Sequence, residues 1–204
     1  MKHEIIPVGP LSTNCHLVLL EEEKTLLIID PGAEAELICA AAKNMQWDTA
    51  RILLTHAHID HISAAGKVAA ELGIDEVELS EKDMELYNSP ENSFFPYFQR
   101  AENLPEGVTF REIAGVKIVP LPGHTQGGTG FLFTDDGGKQ FLISGDTIFS
   151  GSIGRTDLPG GNYGMLINSI KSSILALPED TVIYPGHGSS TNVGFERVTN
   201  PFLS

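Results

Sequence analysis

Five of the seven histidines in this 204-residue chain share one placement. His56, His58 and His61 follow the apolar run Ile52-Leu53-Leu54-Thr55, His124 follows residues 118–123, and His187 follows residues 182–186. Asp146 arrives in the same way after Phe141-Leu142-Ile143-Ser144-Gly145, and Asp60 lies inside the first cluster. Imidazole and carboxylate are ligands that suit zinc, iron or manganese. In an extended segment, side chains alternate, so His56 and His58 point to one side. Asp60 and His61 come where the turn enters the next helix and aim at a second point. Three histidines and an aspartate between positions 56 and 61 are hard to reconcile with core packing. Gly123 lets the chain turn sharply before His124. Asp146 alone would read as a turn cap; with the histidines it reads as a carboxylate bridging two cations.

These residues must be carried by strands. Apolar or β-branched runs at 4–8, 16–20, 26–29 and 51–54 predict strands in the first half. A helix after Asp30-Pro31-Gly32 would turn Leu37, Ala40, Ala41 and Met45 inward, and a second over 62–72 would end at Gly73. A strand at 76–79 and a helix at 81–88 precede a long loop, 89–105, rich in proline and aromatic residues; long ordered loops are often functional. The second half repeats the alternation, with strands at 109–113, 116–120, 129–134, 140–144 and 181–184. Asp136-Gly137-Gly138 supplies a hairpin turn. A helix at 165–177 carries Leu166, Ile170, Ile174 and Leu177 on one face, and a short helix follows near the C-terminus. Two strand-rich halves predict two packed sheets with helices outside, in one domain over 1–204. Ligands grouped at one edge of a sheet are how α/β proteins build sites.

Composition narrows the function. The chain is 41% hydrophobic and 20% charged, an ordinary globular balance. With 13 basic against 27 acidic residues the net charge is −14, which argues against a nucleic-acid partner and against an anionic membrane surface. An anionic small substrate stays compatible, because bound cations reverse the local field. Cys15 and Cys39 have no CxxC spacing and read as small core residues. No apolar run approaches the ~20 residues that span a bilayer. Met1-Lys2-His3-Glu4-Ile5-Ile6-Pro7 lacks the apolar stretch of a signal peptide, so the expectation is a cytoplasmic protein.

The order THAHIDH, then PGHT, GDT and PGHG, resembles the metallo-β-lactamase superfamily. That resemblance spans nearly the whole chain and implies an α/β fold, the four-layer αββα sandwich of the metallo-β-lactamase type. It implies that His56, His58 and His124 hold a first metal, that Asp60, His61 and His187 hold a second, and that Asp146 bridges them. Residues 151–157, Gly-Ser-Ile-Gly-Arg-Thr-Asp, resemble the GRTD segment of glyoxalase II (hydroxyacylglutathione hydrolase) and of persulfide dioxygenases. An Arg155–Asp157 pair there would fix the loop. Larger glyoxalase II proteins carry a C-terminal helical domain that binds glutathione. This chain ends soon after His187, and its GHG…E…NPF ending resembles the small single-domain bacterial glyoxalase II-like proteins.

The resemblance implies two divalent cations, zinc first and iron or manganese as alternatives. Sharing a water, they would lower its pKa toward ~7, and the hydroxide would attack a thioester carbonyl such as that of S-lactoylglutathione. Asp60 would also orient the hydroxide. Asp30 and Thr55 would orient imidazole N–H groups. Phe94, Phe95 and Tyr97 in the long loop, with Asn162 and Tyr163, would wall the substrate. Three other readings compete. A mononuclear-iron persulfide dioxygenase would use His56, His124 and Asp146, and the intact second-metal set counts against it. A β-lactamase is disfavoured by Asp60, the GRTD segment and the lack of a secretory signal. In a binding module the metal would be structural and its coordination closed.

Overall fold

The structure, a computed structural model, describes residues 1–94, 96–135 and 137–203. The chain divides into two compact units, Met1–Arg111 and Glu112–Ser204. Each strand-rich half read from the sequence carries its own sheet.

In the first unit six strands lie in the order β1 (Lys2–Val8), β2 (Thr13–Leu20), β3 (Thr25–Ile29), β4 (Thr49–Leu53), β5 (Glu76–Leu79) and β6 (Glu106–Thr109). The first three are antiparallel, and β3 to β6 run parallel. Every residue of β2 is buried, and Leu26 to Ile29 of β3 are fully enclosed. Each such side chain contributes about 2 kcal/mol of burial, so β3 is a firm anchor for the Asp30 that follows it. Helix α1 (Ala35–Lys43) links β3 to β4; α2 (Ile59–Ile62) and α3 (Ala65–Leu72) link β4 to β5. Gly73 closes α3 at φ +70. The segment read as one helix at 81–88 is a 3-10 turn, Glu81–Asp83, followed by α4 (Met84–Asn88).

Two expectations in this unit need correction. Helix α1 buries Ala35, Ile38, Cys39 and Ala42, while Leu37 is 51% exposed. The helix starts at Ala35, after Glu34 in the left-handed region, and that start rotates the inward face by one position. The strand expected at 109–113 lies at Glu106–Thr109. Its place is set by pairing with β5, Glu76 opposite Glu106 and Leu79 opposite Thr109, and not by apolar content.

The second unit holds a five-stranded sheet in the order β13, β12, β9, β8, β7 and a separate hairpin of β10 and β11. The ranges are β7 (Val116–Pro120), β8 (Thr129–Thr134), β9 (Gln140–Gly145), β10 (Ile148–Phe149), β11 (Ser152–Ile153), β12 (Val182–Pro185) and β13 (Thr191–Asn192). β7, β8 and β9 form an antiparallel meander, and β12 runs parallel to β9. The turn expected at Asp136-Gly137-Gly138 falls partly on Asp136, outside the described residues; Gly138 N–H donates to the Asp135 carbonyl at 2.9 Å. Helix α5 (Tyr163–Ser169) runs into a π-helical turn, Ile170–Ile174, and α6 (Val193–Thr199) lies near the C-terminus. Leu166, Ile170 and Ile174 are fully buried in the core of this unit. Among the described residues no helix is long and apolar enough to cross a membrane.

Candidate metal centre

In the first unit the site begins with strand register. β3 and β4 are parallel with Ile29 opposite Leu53, and Asp30 N–H donates to the Leu53 carbonyl at 3.1 Å. Both strands therefore end together, and Asp30 faces Thr55. The Thr55 N–H donates to Asp30 Oδ1 at 2.8 Å, and its hydroxyl donates to Oδ2 at 2.6 Å. With its one proton spent on Asp30, the Thr55 oxygen accepts from His56 Nδ1 at 3.1 Å. Asp30 Oδ2 also accepts from His61 Nδ1 at 2.9 Å. One carboxylate thus places the protons of two imidazoles on Nδ1, directly or through Thr55. Their Nε2 atoms then carry lone pairs suited to a metal.

The rings of His56 and His61 stand 4.1 Å apart, and His58 meets His56 edge-on at 4.8 Å. One donor atom each from Asp30, His56 and His61 falls within 4.8 Å of the others. His61 Nε2 faces Asp60 Oδ2 at 3.5 Å, and that oxygen accepts from the Thr13 hydroxyl at 3.2 Å. Gly32 is obligatory beside them: a Cβ there would lie 1.8 Å from the Asp60 carbonyl oxygen.

Two residues that sequence reasoning missed hold the peptide between His56 and His58. Ala57 N–H donates to Asp83 Oδ2 at 3.2 Å, and Asn92 Nδ2 donates to the Ala57 carbonyl at 2.8 Å and to the Leu86 carbonyl at 3.1 Å. Both side chains are buried. A polar residue in a helix or loop reads as solvated, so nothing in the sequence separated them from their neighbours.

In the second unit β9 and β12 are parallel neighbours, and Gly186 N–H donates to the Gly145 carbonyl at 2.9 Å. Asp146 and His187 leave these adjacent ends together. His187 Nε2 lies 3.5 Å and His124 Nε2 lies 3.6 Å from Asp146 Oδ2. His124 Nδ1 donates to the Arg155 carbonyl at 2.7 Å, which leaves the lone pair on Nε2. The turn before His124 needs glycine: Gly123 has φ +142, and a Cβ there would lie 2.3 Å from Leu166 Cα.

Arg155 thus orients a histidine through its backbone oxygen. Its guanidinium is exposed and grips Asp157 bidentately at 2.7 and 2.8 Å, and this bond draws the Asp157 carboxyl down to about 2. Phe94 and Tyr97 are exposed and stacked at 5.6 Å, while Phe98 is buried in the core. Phe95 lies outside the described residues. Asn162 caps α5, its side-chain oxygen accepting from Met165 N at 2.9 Å; Tyr163 beside it is 55% exposed. Cys15 and Cys39 are buried free thiols, and burial pushes both above the ordinary range, away from the reactive thiolate.

The donor set fits a divalent metal. A carboxylate oxygen faces one imidazole Nε2 in the first unit and two in the second across 3.5–3.6 Å, too long for a hydrogen bond. Ligand atoms on a tetrahedron with ~2.1 Å metal bonds lie ~3.4 Å apart.

The family description "Metallo-beta-lactamase superfamily" matches residues 8–187, a span that takes in both units. The chain belongs to the metallo-β-lactamase superfamily, and its α/β sandwich fold is that of the solved members it matches. It is 38% identical to hydroxyacylglutathione hydrolase GloC of Haemophilus influenzae, across 100% of this chain and 99% of that protein. Among solved structures, the BLEG-1 B3 metallo-β-lactamase superposes with a TM-score of 0.86 at 34% identity, covering 100% of both chains. TTHA1623, solved in a di-iron-bound form, superposes with a TM-score of 0.86 at 35% identity, covering 98% of this chain and 100% of its own.

Proposed function

We propose that this chain is a dinuclear metal-dependent hydrolase of small thioesters, with S-lactoylglutathione as the first substrate to test. The observation that carries the metal reading is the facing of carboxylate oxygens and imidazole Nε2 atoms at 3.5–3.6 Å in each unit, with the Nδ1 atoms of His61 and His124 committed to oxygen acceptors. The thioester reading is supported by the full-length similarity to GloC. His56, His58 and His124 would hold one cation, Asp60, His61 and His187 the other, and Asp146 both. Zinc is the first candidate, and the same donors accept iron or manganese.

Bound cations would supply a water of lowered pKa and the Lewis acidity that stabilises an oxyanion. The chain's own residues do the rest. Asp30 and Thr55 hold His56 and His61 in the Nε2 lone-pair tautomer. Asp60, steadied by Thr13, orients the attacking water. Phe94, Tyr97 and Tyr163 offer exposed aromatic surface for the substrate. A thiolate is a good leaving group, so water adds, the C–S bond breaks and acid and thiol are released with little general-acid help.

Elemental analysis with a thioester assay tests this. The expected result is two metals per chain and turnover of S-lactoylglutathione that His58→Ala abolishes. Two metals without thioester turnover would discard the substrate. One iron per chain with oxygen uptake on glutathione persulfide would overturn the hydrolase. A second reading, β-lactam hydrolysis, is favoured by the match to BLEG-1; nitrocefin turnover exceeding thioester turnover would replace the first reading with it.

A further inference from the structure

The GHG…E…NPF ending contains a buried acid that the site above does not use. Glu196 of α6 is 0% exposed, and Asn200 just beyond the helix is 4% exposed. Burying a carboxylate is expensive unless hydrogen bonds replace its water. Glu196 receives four: Gly151 N–H bonds to its two oxygens at 3.2 and 3.1 Å, the Thr191 hydroxyl at 2.5 Å and Asn200 Nδ2 at 2.7 Å. Asn200 Nδ2 also donates to the Ser152 carbonyl at 3.0 Å. These donors are all uncharged, and a buried carboxylate that makes no ion pair among the described residues is a costly choice for stability alone.

The donors have a common address. Gly151 lies in the turn of the β10–β11 hairpin and Ser152 opens β11; the hairpin connects Asp146 to Arg155. Thr191 lies in β13, paired with Ile183 of β12, the strand that delivers His187. At its mouth the hairpin has no slack. Gly154 N–H donates to the Thr147 carbonyl at 3.1 Å, and a Cβ on Gly154 would lie 1.9 Å from the Asp146 carbonyl oxygen and 3.4 Å from His124 Cβ. The next residue supplies the carbonyl that orients His124.

We propose that Glu196, assisted by Asn200, is a positioning residue for the metal donors of the second unit. It grips the hairpin tip from outside, and the hairpin transmits that grip to Asp146 and to His124 through the Arg155 carbonyl. The proposal rests on the metal reading given above, and its test separates the two.

The protein is stripped with a chelator and reloaded with cobalt(II), whose visible absorption reports ligand geometry. Glu196→Gln sets an amide N–H₂ against donors that need an acceptor. The expected result is unchanged circular dichroism, cobalt affinity at least tenfold weaker and an altered visible spectrum. Ile174→Val, a change in the same core away from the hairpin, should lower Tm while keeping the wild-type spectrum and affinity. Wild-type affinity and spectrum in Glu196→Gln would overturn the proposal, whatever its Tm. If that variant does not fold, Asn200→Ala, which removes the Ser152 tie, decides in its place: several-fold weaker cobalt binding supports the proposal and unchanged binding overturns it. A wild-type protein that takes up no cobalt overturns the metal reading and this inference with it.

Discussion

Asp30 and His61 stand 31 positions apart in the chain and meet at 2.9 Å between Oδ2 and Nδ1. The same oxygen takes the Thr55 hydroxyl, which in turn accepts from His56 Nδ1, so one buried carboxylate sets the tautomer of two histidines. Residues that orient metal-binding imidazoles are worth about 10–100-fold in affinity. Asp30→Asn keeps the size but turns one acceptor into a donor facing the donors of Thr55 or His61. Metal affinity should fall by about that 10–100-fold, read by competition with a chromophoric chelator. An affinity equal to wild type would mean that Asp30 is only a strand-end residue.

Asn92 makes a second test, through a side chain that binds the backbone between two proposed ligands. It donates to the carbonyls of Ala57 and Leu86, and its removal leaves buried acceptors without those bonds. Asn92→Ala should cost about 2 kcal/mol, the usual penalty for losing bonds to a buried polar group, visible in urea unfolding. Metal binding should weaken too, because Ala57 spaces His56 from His58. A loss of stability with unchanged metal affinity would confine Asn92 to anchoring its loop.

How much of this was legible in the residues differs by kind. The proposed ligands stood out because each follows an apolar run, and a histidine or aspartate at the end of such a run has no packing reason to be there. The pairing of strand ends that gathers them, Ile29 with Leu53 and Gly145 with Pro185, is a property of the ladders and not of composition. Helix α1 misled because apolar residues occupy two adjacent faces, and only the start at Ala35 decides that Ile38 is buried and Leu37 is not. Asp83 and Asn92 were silent for a different reason. A buried polar residue and a solvated one have the same letter, and only the partners tell them apart. Arg155 was singled out for its side chain, yet it is the backbone oxygen that touches His124.

One of the two histidines outside the site, His3, predicts a pH dependence. His3 Nε2 lies 3.0 Å from His16 Nδ1, and burial draws His3 from 6.5 down to about 4. Between those values the unfolded chain takes up a proton that the folded one resists. Stability therefore rises with pH across that window, and acidification from 6.5 toward 4 weakens the fold. His3→Gln should flatten the dependence over this range, measured as Tm against pH. A slope as steep as wild type would assign the effect to other groups. Glu78, buried against Arg51 and Arg111, acts lower: burial alone would raise it, but those two cations hold it below 4.5, so its contribution is lost only on further acidification.

The ladder bonds Asp30 N–H to Leu53 and Gly186 N–H to Gly145 have a consequence for how such a chain can diversify. They tie the donor-bearing ends to strands that feed each unit's core, while Phe94 and Tyr97 of the 89–105 segment and Tyr163 at the start of α5 present exposed aromatic rings. Loop length and chemistry can therefore be exchanged without re-registering a single strand. Selection for a new leaving group or acyl chain would act on one set of residues, and retention of the metal on another. A library that randomises residues 93–97 while keeping Asn92 and the buried Phe98 should yield altered substrate preference at constant metal content.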